Sequence, residues 1–562
     1  MTDSPSGAPA RTLVTGALPY ANGRIHIGHV AGAYLPADIC ARYLRLRGRE
    51  VAFICGSDEN GVPITISAMR KGVTPQQIID RYHHANLRAF EGLGIRFDYY
   101  GRTSCDLHDR VAQAFFLRLH ERGHIQRRTT QQLYCPSCGM YLPDRYVEGT
   151  CYHCGKPGAK GDQCESCGRM IDATELVEPK CILCGATPEV RETDHWFLRL
   201  DAFEKELHAY LDSHDHFRDN VKRFSYNLLK QGLQPRGVTR DLDWGVPLPL
   251  EGVAGKVLYV WFDAPIGYVT FTQQWAAEQG DADRWRAFWQ AEDTRIVHFI
   301  GKDNIVFHAI VWPAMLMGHG EYQLPYDVVA NEFLNIRGAK TSTSRNYAVW
   351  VDEYLEHFEP DPLRYYLTAI APETSDSDFT WEDFQQRNNA ELADTLGNFI
   401  QRNLVFARKY FGGKAPDARI AGAGEGMLRD TDAAREEVAR LLDGHRYKQA
   451  LERLMRLAQA GNQFLEAEEP WRTRKSDPDR CAAAVHAGLR VVEALSVLMA
   501  PFLPSAAERL RTMLNLPALA HGDWDRPARL APGQALGAPD ILFRKFEDDE
   551  IRPHIETLAA RR

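Results

Sequence analysis

Leu13-Val14-Thr15-Gly16-Ala17-Leu18-Pro19-Tyr20-Ala21-Asn22-Gly23-Arg24-Ile25-His26-Ile27-Gly28-His29 runs from an apolar strand through a Pro/Asn/Gly turn into a helix that opens at Gly28. The first backbone N–H groups of a helix lack internal partners. Two imidazoles three residues apart at its mouth, His26 and His29, therefore make a donor-rich pocket suited to a polyphosphate. This is a nucleotide site without the lysine of a phosphate loop. Read alone, the same residues also fit a capping turn with two incidental histidines, and the surrounding chain has to decide.

A chain of 562 residues exceeds what one hydrophobic core holds, so several domains are expected. Hydrophobic content of 44% and charged content of 25% describe an ordinary globular protein. The net charge of −8 excludes a general polyanion binder and leaves room for one local basic groove. Met1 to Ala10 are polar and Pro/Ser/Ala-rich, with neither the basic start nor the apolar run of a signal peptide. The most apolar windows, Ile305 to Met317 and Leu489 to Pro504, are too short or carry Arg490 and Glu493, so no membrane span is expected. The expectation is a cytoplasmic protein.

From Leu13 to about Gly94, apolar strands (13–16 and 51–55) alternate with helical patterns (30–47 and 76–92). Such alternation implies βαβ units and a parallel sheet. Pro36 would press on the carbonyl of Gly32, so a kink is expected there. Helical spacing returns over 107–122. Near Gln126 the composition changes to Cys, Gly, Pro and charge, and this insertion runs to about Arg240. Gly255 to Pro265 and Arg295 to Gly301 then read as two further buried strands, as if the sheet resumed after the insertion. From about Asp383 almost every window has helical spacing, which predicts an α-bundle. The expected divisions are 1–117 and 241–331 for the two halves of the α/β domain, 118–240 for the insertion, 332–389 for a mixed connecting region and 390–562 for the bundle.

Eight of the 12 cysteines form four C-x-x-C pairs: Cys135/Cys138, Cys151/Cys154, Cys164/Cys167 and Cys181/Cys184. In a reducing compartment this spacing points to metal, since two such turns complete a closed tetrahedral thiolate site. The inner pairs are expected to share one zinc ion and the outer pairs a second. A full sulfur set leaves no open position, so the metal is structural. The third feature is Gly338-Ala339-Lys340-Thr341-Ser342-Thr343-Ser344-Arg345-Asn346, a small polar loop with a cation near each end. Alone it reads as a solvated turn; paired with the histidine turn it reads as a second jaw closing on phosphates.

These motifs carry a family resemblance. His26-Ile27-Gly28-His29 resembles the HIGH signature of class I aminoacyl-tRNA synthetases, and Lys340-Thr341-Ser342-Thr343-Ser344 resembles their KMSKS loop. Ala17 to Gly23, Phe53 to Gly61, Val260 to Tyr268 and Phe299 to Asp303 resemble methionyl-tRNA synthetases in particular, as do the four cysteine pairs in place and number. The resemblance runs from about Arg11 to the helical end. It implies an α/β protein: a Rossmann-like parallel-sheet catalytic domain, a zinc-knuckle connective insertion and a C-terminal α-helical anticodon-binding bundle.

By the same resemblance, His26 and His29 with Gly28 bind the ATP phosphates, and His26, His29 and Lys340 are the catalytic candidates. Lys302, Asp303, Thr343 and Arg345 lie about the nucleotide. Asp58 holds the substrate α-amino group. Leu18, Tyr20, Trp261, Ala264, Pro265, Tyr268 and His308 line the methionine slot, where a thioether is selected by aromatic walls and sulfur–ring contacts. Arg240 matches an arginine between the insertion and the active site. Asn398, Arg402 and Trp471 fall where the family contacts the CAU anticodon, an aromatic face plus a cation being a way to read single-stranded bases. The implied reaction is ATP-dependent, AMP-forming ligation of methionine to tRNA(Met), with Mg2+ accompanying ATP and one or two structural zinc ions.

One position departs from the pattern. The second loop lysine is replaced by Thr343, and Arg345, ahead of Lys302 or Arg337, is expected to supply the missing charge. The sequence closes at Arg562 soon after the bundle, without the OB-like dimerisation domain that some relatives append, and a monomer is expected. The alternatives are a sibling class I synthetase, disfavoured by closed four-cysteine knuckles and by the lack of a large editing insertion, and a catalytically retired zinc-containing RNA-binding paralogue. Only Thr343 supports the latter.

Overall fold

The computed structural model describes residues 11–561, apart from 162, 163, 165, 168, 170, 342–345 and 527. Five strands, β1 (Arg11–Gly16), β2 (Glu50–Ser57), β3 (Tyr99–Arg102), β4 (Thr294–Gly301) and β5 (Asp327–Asn331), form one parallel sheet in the order β5-β4-β1-β2-β3. Leu13 pairs with Ala52 on one side and Ile296 on the other, and all three are fully buried. Such near-continuous apolar runs are what a parallel sheet covered on both faces requires. The chain builds outward from β1 in one direction, then returns to build outward in the other. The reversal lies between β1 and β4, and it opens a crevice at their carboxyl ends.

Helices flank that crevice on both sides. After β1, residues Ile27–His29 start a helix that widens into one π-helical turn at Val30–Tyr34 and continues as an α-helix over Leu35–Leu46. The distortion expected from Pro36 is thus a π turn, which absorbs the hydrogen bond that the proline ring cannot donate. After β4 the same device recurs: a π turn at Phe307–Val311 precedes the helix Trp312–His319, whose second residue is Pro313.

Two expectations are corrected. Of Gly255 to Pro265, only Val257–Leu258 is strand, and Val260–Glu278 is a helix that buries nearly every side chain. A short apolar run does not distinguish a buried strand from a buried helix, and the run continues too far for a strand. In the C-terminal region, helices extend through Met513, but the stretch from there to the last helix, Asp548–Ala560, contains only a short turn at Asp523–Asp525. Pro517, Pro532 and Pro539 punctuate it. A helix at Val62–Lys71 was not anticipated.

The insertion is carried on a long antiparallel hairpin, Ile125–Cys135 against Glu189–Leu198, with the cysteine turns at its far end. In the bundle, Pro478–Leu498 is long and apolar enough to cross a membrane by length and composition, but it is the buried central helix, packed among its neighbours.

Bundle and sheet are joined by a buried guanidinium. Arg364 is 1% exposed and donates to Asp38 on the helix after β1 (2.7 Å), to the carbonyls of Pro501 and Phe502 in the bundle (2.9 and 2.8 Å) and to that of Leu93 (3.2 Å). Burial raises the Asp38 carboxyl, but Arg42 and Arg364 outweigh it and hold the group below the usual carboxylate range. Arg364→Met should cost about 3–5 kcal/mol in denaturant unfolding at neutral pH, because it leaves the buried Asp38 with Arg42 as its one remaining cation and three buried carbonyls without their donor. The deficit should shrink as acid protonates Asp38. An unchanged midpoint would contradict this.

Candidate active site

The crevice between β1 and β4 holds a cleft of about 420 Å3 whose lining includes Tyr20, His29, Arg240, Val260, Trp261 and Asp303. Beyond β1 the chain is laid against the end of β2: the Asp58 N–H donates to Pro19 O and the Ala21 N–H to Asp58 O, both at 2.9 Å. That pairing sets Leu18, Tyr20 and Asp58 side by side.

His26 caps the helix. Its Nδ1 accepts from the N–H groups of Gly28 (3.1 Å) and His29 (3.4 Å), while His29 Nδ1 accepts from the His26 N–H at 3.3 Å. An Nδ1 that accepts leaves its proton on Nε2, so each neutral ring presents one Nε2–H donor. The rings stack with centroids 3.6 Å apart. Burial, with His29 adding repulsion, holds His26 well below the ordinary imidazole value, and burial lowers His29 to about 4. Gly28 is needed for space, since a Cβ there would lie 3.0 Å from the His26 ring.

The lysine loop meets this turn. Leu334–Ile336 and Ala339–Lys340 form a hairpin closed by Arg337 and Gly338, both at positive φ (47° and 72°), the two-residue turn that suits strand twist. The chain then returns alongside the histidine turn, with the Ile27 N–H donating to Val349 O and the Val351 N–H to Ile25 O, each at 3.1 Å. Thr341 Oγ1 comes within 3.5 Å of where a Cβ on Gly28 would stand. The two jaws therefore converge. Lys340 and Lys302 lie over the same ring, Phe333, at 4.4 and 4.3 Å. Lys302 is also paired with Glu332 (2.8 Å) and Asp376 (2.6 Å), whereas Lys340 is exposed. Thr343 and Arg345 lie outside the described residues.

The expected methionine-slot residues also gather. Ala264, Pro265 and Tyr268 are buried near the start of the helix Val260–Glu278, and Leu18 touches that helix at Gly267. Tyr268 Oη lies 2.9 Å from His308 Nε2, and His308 Nδ1 lies 3.1 Å from Asn304 O. The carbonyl can only accept, so Nδ1 carries the proton and Nε2 accepts from the phenol. Burial lowers His308 to about 4, keeping it neutral. Trp261 stacks on Phe307 at 3.9 Å and meets the edge of Tyr20 at 6.2 Å. Phe307 was not anticipated from the sequence, where it reads as one more apolar residue in a helix. Asp58 is 2% exposed, and burial pushes its carboxyl well above the usual range. Arg240 sits at the cleft wall over Tyr259 at 3.8 Å.

The cysteines sort as expected into two four-sulfur clusters, Cys135/Cys138/Cys181/Cys184 and Cys151/Cys154/Cys164/Cys167. Sulfur–sulfur distances of 3.5 and 3.9 Å in the first and 3.7 and 3.9 Å in the second are far beyond a disulfide bond. They match the edge of about 3.8 Å of a tetrahedron with zinc–sulfur bonds of about 2.3 Å. Both clusters could bind zinc.

In the bundle, Arg402 lies over the face of Trp471 at 5.0 Å beside a groove of about 360 Å3, and Trp471 is 39% exposed, more than a packing role requires. Asn398 stands one turn earlier and donates to Asn462 at 3.3 Å.

Fold and site together define a class I tRNA synthetase, and the family model described as tRNA synthetases class I (M) matches residues 12–404. A second, described as the anticodon binding domain of methionyl tRNA ligase, matches residues 415–562. The chain belongs to the methionyl-tRNA synthetase family. It is 49% identical to the methionine–tRNA ligase of Porphyromonas gingivalis over 555 residues, covering 98% of this chain and 81% of that protein. It is 48% identical to that of Bacteroides fragilis over 552 residues, with the same shares covered. The structure is similar to Mycobacterium tuberculosis methionyl-tRNA synthetase in complex with methionyl-adenylate, with a TM-score of 0.80 at 27% identity, covering 95% of this chain and 99% of that one.

Because the folded imidazoles refuse a proton that the unfolded chain accepts, stability should fall as pH drops from about 6.5, the ordinary imidazole value, toward about 4, and be unaffected above that window. His29→Asn should lose part of this slope in denaturant midpoints compared at pH 7 and 5. Identical slopes would rule out the buried neutral ring.

Proposed function

We propose that this protein activates L-methionine with ATP and transfers it to the 3′ end of tRNA(Met), for initiation and elongation. A methionine carboxylate oxygen attacks the α-phosphorus, methionyl-adenylate forms, and pyrophosphate leaves with the electrons of the broken P–O bond. The terminal ribose hydroxyl then attacks the carbonyl and AMP departs. The observation that carries this reading is the meeting of the His26/His29 turn and the Lys340 hairpin on one cleft beside an aromatic slot.

In that cleft the Nε2–H groups of His26 and His29 donate to phosphate oxygens without themselves carrying charge. Positive charge comes from Lys340 and, in our reading, from Arg345 in place of the lysine absent at Thr343; Lys302 is already neutralised by Glu332 and Asp376. Gly28 gives close backbone approach, and Asp303 stands at the same wall. Mg2+ enters with the triphosphate as part of the substrate. Asp58 pairs with the substrate ammonium, while Leu18, Tyr20, Trp261, Ala264, Pro265, Tyr268 and His308 enclose the thioether. A slot of this kind separates near-isosteres by only about 1–3 kcal/mol, so homocysteine competes. Arg402 and Trp471, with Asn398, receive anticodon bases. We read 1–117 with 241–331 as the catalytic unit, 118–240 as the insertion, 332–389 as the connecting region and 390–562 as the anticodon domain. In our reading the functional unit is a single chain, and it works in the cytoplasm alongside tRNA and ATP.

ATP–pyrophosphate exchange should depend on methionine and not on valine, isoleucine, leucine or cysteine. Lys340→Ala should slow exchange about 100-fold or more, whereas Trp471→Ala should leave exchange intact and depress tRNA charging. Background exchange with every amino acid would overturn the reading.

We further propose one structural zinc ion in each cluster. Metal analysis should give about two zinc ions per chain, and Cys151→Ser should remove one and loosen the insertion. One ion in the unaltered protein would leave the Cys135/Cys138/Cys181/Cys184 set vacant.

A further inference from the structure

Behind the ammonium partner Asp58 lies a second buried carboxylate. Asp263 is fully buried in the first turn of the helix Val260–Glu278, and Asn60 bridges the two acids: its N–H donates to Asp58 Oδ1 at 3.3 Å and its side-chain amide to Asp263 Oδ2 at 2.7 Å. Two negative charges here would be one too many for a single ammonium. Like charges held this close do not both ionise at ordinary cost.

His108 bears on this. It is fully buried on the helix Asp106–Glu121, with Nε2 at 3.5 Å from Asp263 Oδ2 and Nδ1 at 3.1 Å from Thr270 Oγ1. The Thr270 hydroxyl proton is spent on the carbonyl of Ile266, one helical turn back, at 3.3 Å. Toward His108 the hydroxyl oxygen therefore accepts, and Nδ1 carries a proton. Nε2, which has no other partner, then faces the carboxylate oxygen that accepts from Asn60, and two lone pairs do not face each other across 3.5 Å in a dry interior without a proton between them. Whether that proton rests on nitrogen or oxygen, His108 and Asp263 together carry no net charge.

We propose that His108 is a positioning residue for methionine: by holding one proton against Asp263 it leaves Asp58 as the single net negative charge of the ammonium pocket. This rests on the reading of Asp58 given above. Other titratable groups face the cluster. Glu59 is held by Arg102 and Ser104, Asp106 and Asp109 flank His108 on its helix beside Arg110, and the phenols of Tyr20 and Tyr259, with Arg145, stand on the pocket side. Of these, none is placed to give Asp263 a proton.

The test is the pH dependence of 1/KM for methionine in ATP–pyrophosphate exchange between pH 6 and 9. Asp263→Asn should leave the acid limb within about 0.3 pH units of the unaltered protein, because the pair it replaces is already neutral. His108→Asn should move that limb upward by about one unit, a rise in methionine KM that approaches about tenfold on the acid side of the limb and closes by pH 9, with the KM for ATP unchanged. Adding Asp263→Asn to His108→Asn should return the limb to its original place. A merely structural loss would raise KM at every pH and would not be rescued. A downward shift in Asp263→Asn alone overturns the proposal even if His108→Asn does not fold, since it would mean that Asp263 is charged. Methionine-independent exchange in the unaltered protein would instead defeat the reading of function on which the proposal stands.

Discussion

Everything in the site follows from the divergence of the chain at β1 and β4. Adjacent parallel strands whose connections leave in opposite directions cannot cover the gap above their carboxyl ends. That gap is filled by what the two strands lead into: Leu18 to His29 on one side, Lys302 to His308 on the other. Each is followed by a helix with a proline two residues beyond a π turn, so both walls have the same local build. The Lys340 hairpin and the returning strand at Val349 to Val351 then close the open edge by backbone pairing with Ile25 and Ile27.

The electrostatics of the crevice divide the labour between dry and wet groups. His26 and His308 are buried, His29 is half-buried at the cleft wall, and each has one ring nitrogen committed to a backbone group, so the remaining nitrogen has a fixed role as donor or acceptor. Such groups do not have to shed water or reorient during reaction, which is how preorganised donors contribute to catalysis. Lys340 differs in being exposed, and in the reading proposed above it brings the charge. The carboxylates behave in the opposite way: Asp58 is costly to bury, and in that reading an incoming ammonium relieves the cost.

The three central strands β1, β2 and β4, the helices around them and both jaws were legible because each has a strong local signal: alternating apolar runs, Gly and Pro punctuation, and imidazoles at a helix mouth; the edge strands β3 and β5 are too short to give one. The cysteine pairing was legible because spacing alone limits which turns can share an ion. Val260 to Glu278 was misread because period distinguishes amphipathic elements only, and this helix is apolar all round. The long irregular stretch before Asp548 was misread because helical spacing is easily mimicked between prolines. Phe307 and His108 left no signature, and Asn60 and Asp263, though inside the stretches Phe53 to Gly61 and Val260 to Tyr268, gave no sign of their contact. Their roles come from partners brought together by the fold: His108 and Asp263 are far apart in sequence, and their contact exists only once the helix Val260–Glu278 packs on the helix Asp106–Glu121.

One planar guanidinium, that of Arg364, holds Asp38 on the helix after β1, the carbonyls of Pro501 and Phe502 in the bundle and that of Leu93. Parting the bundle from the sheet would therefore strip this guanidinium of all its acceptors in a single step, so the joint gives way all at once or not at all.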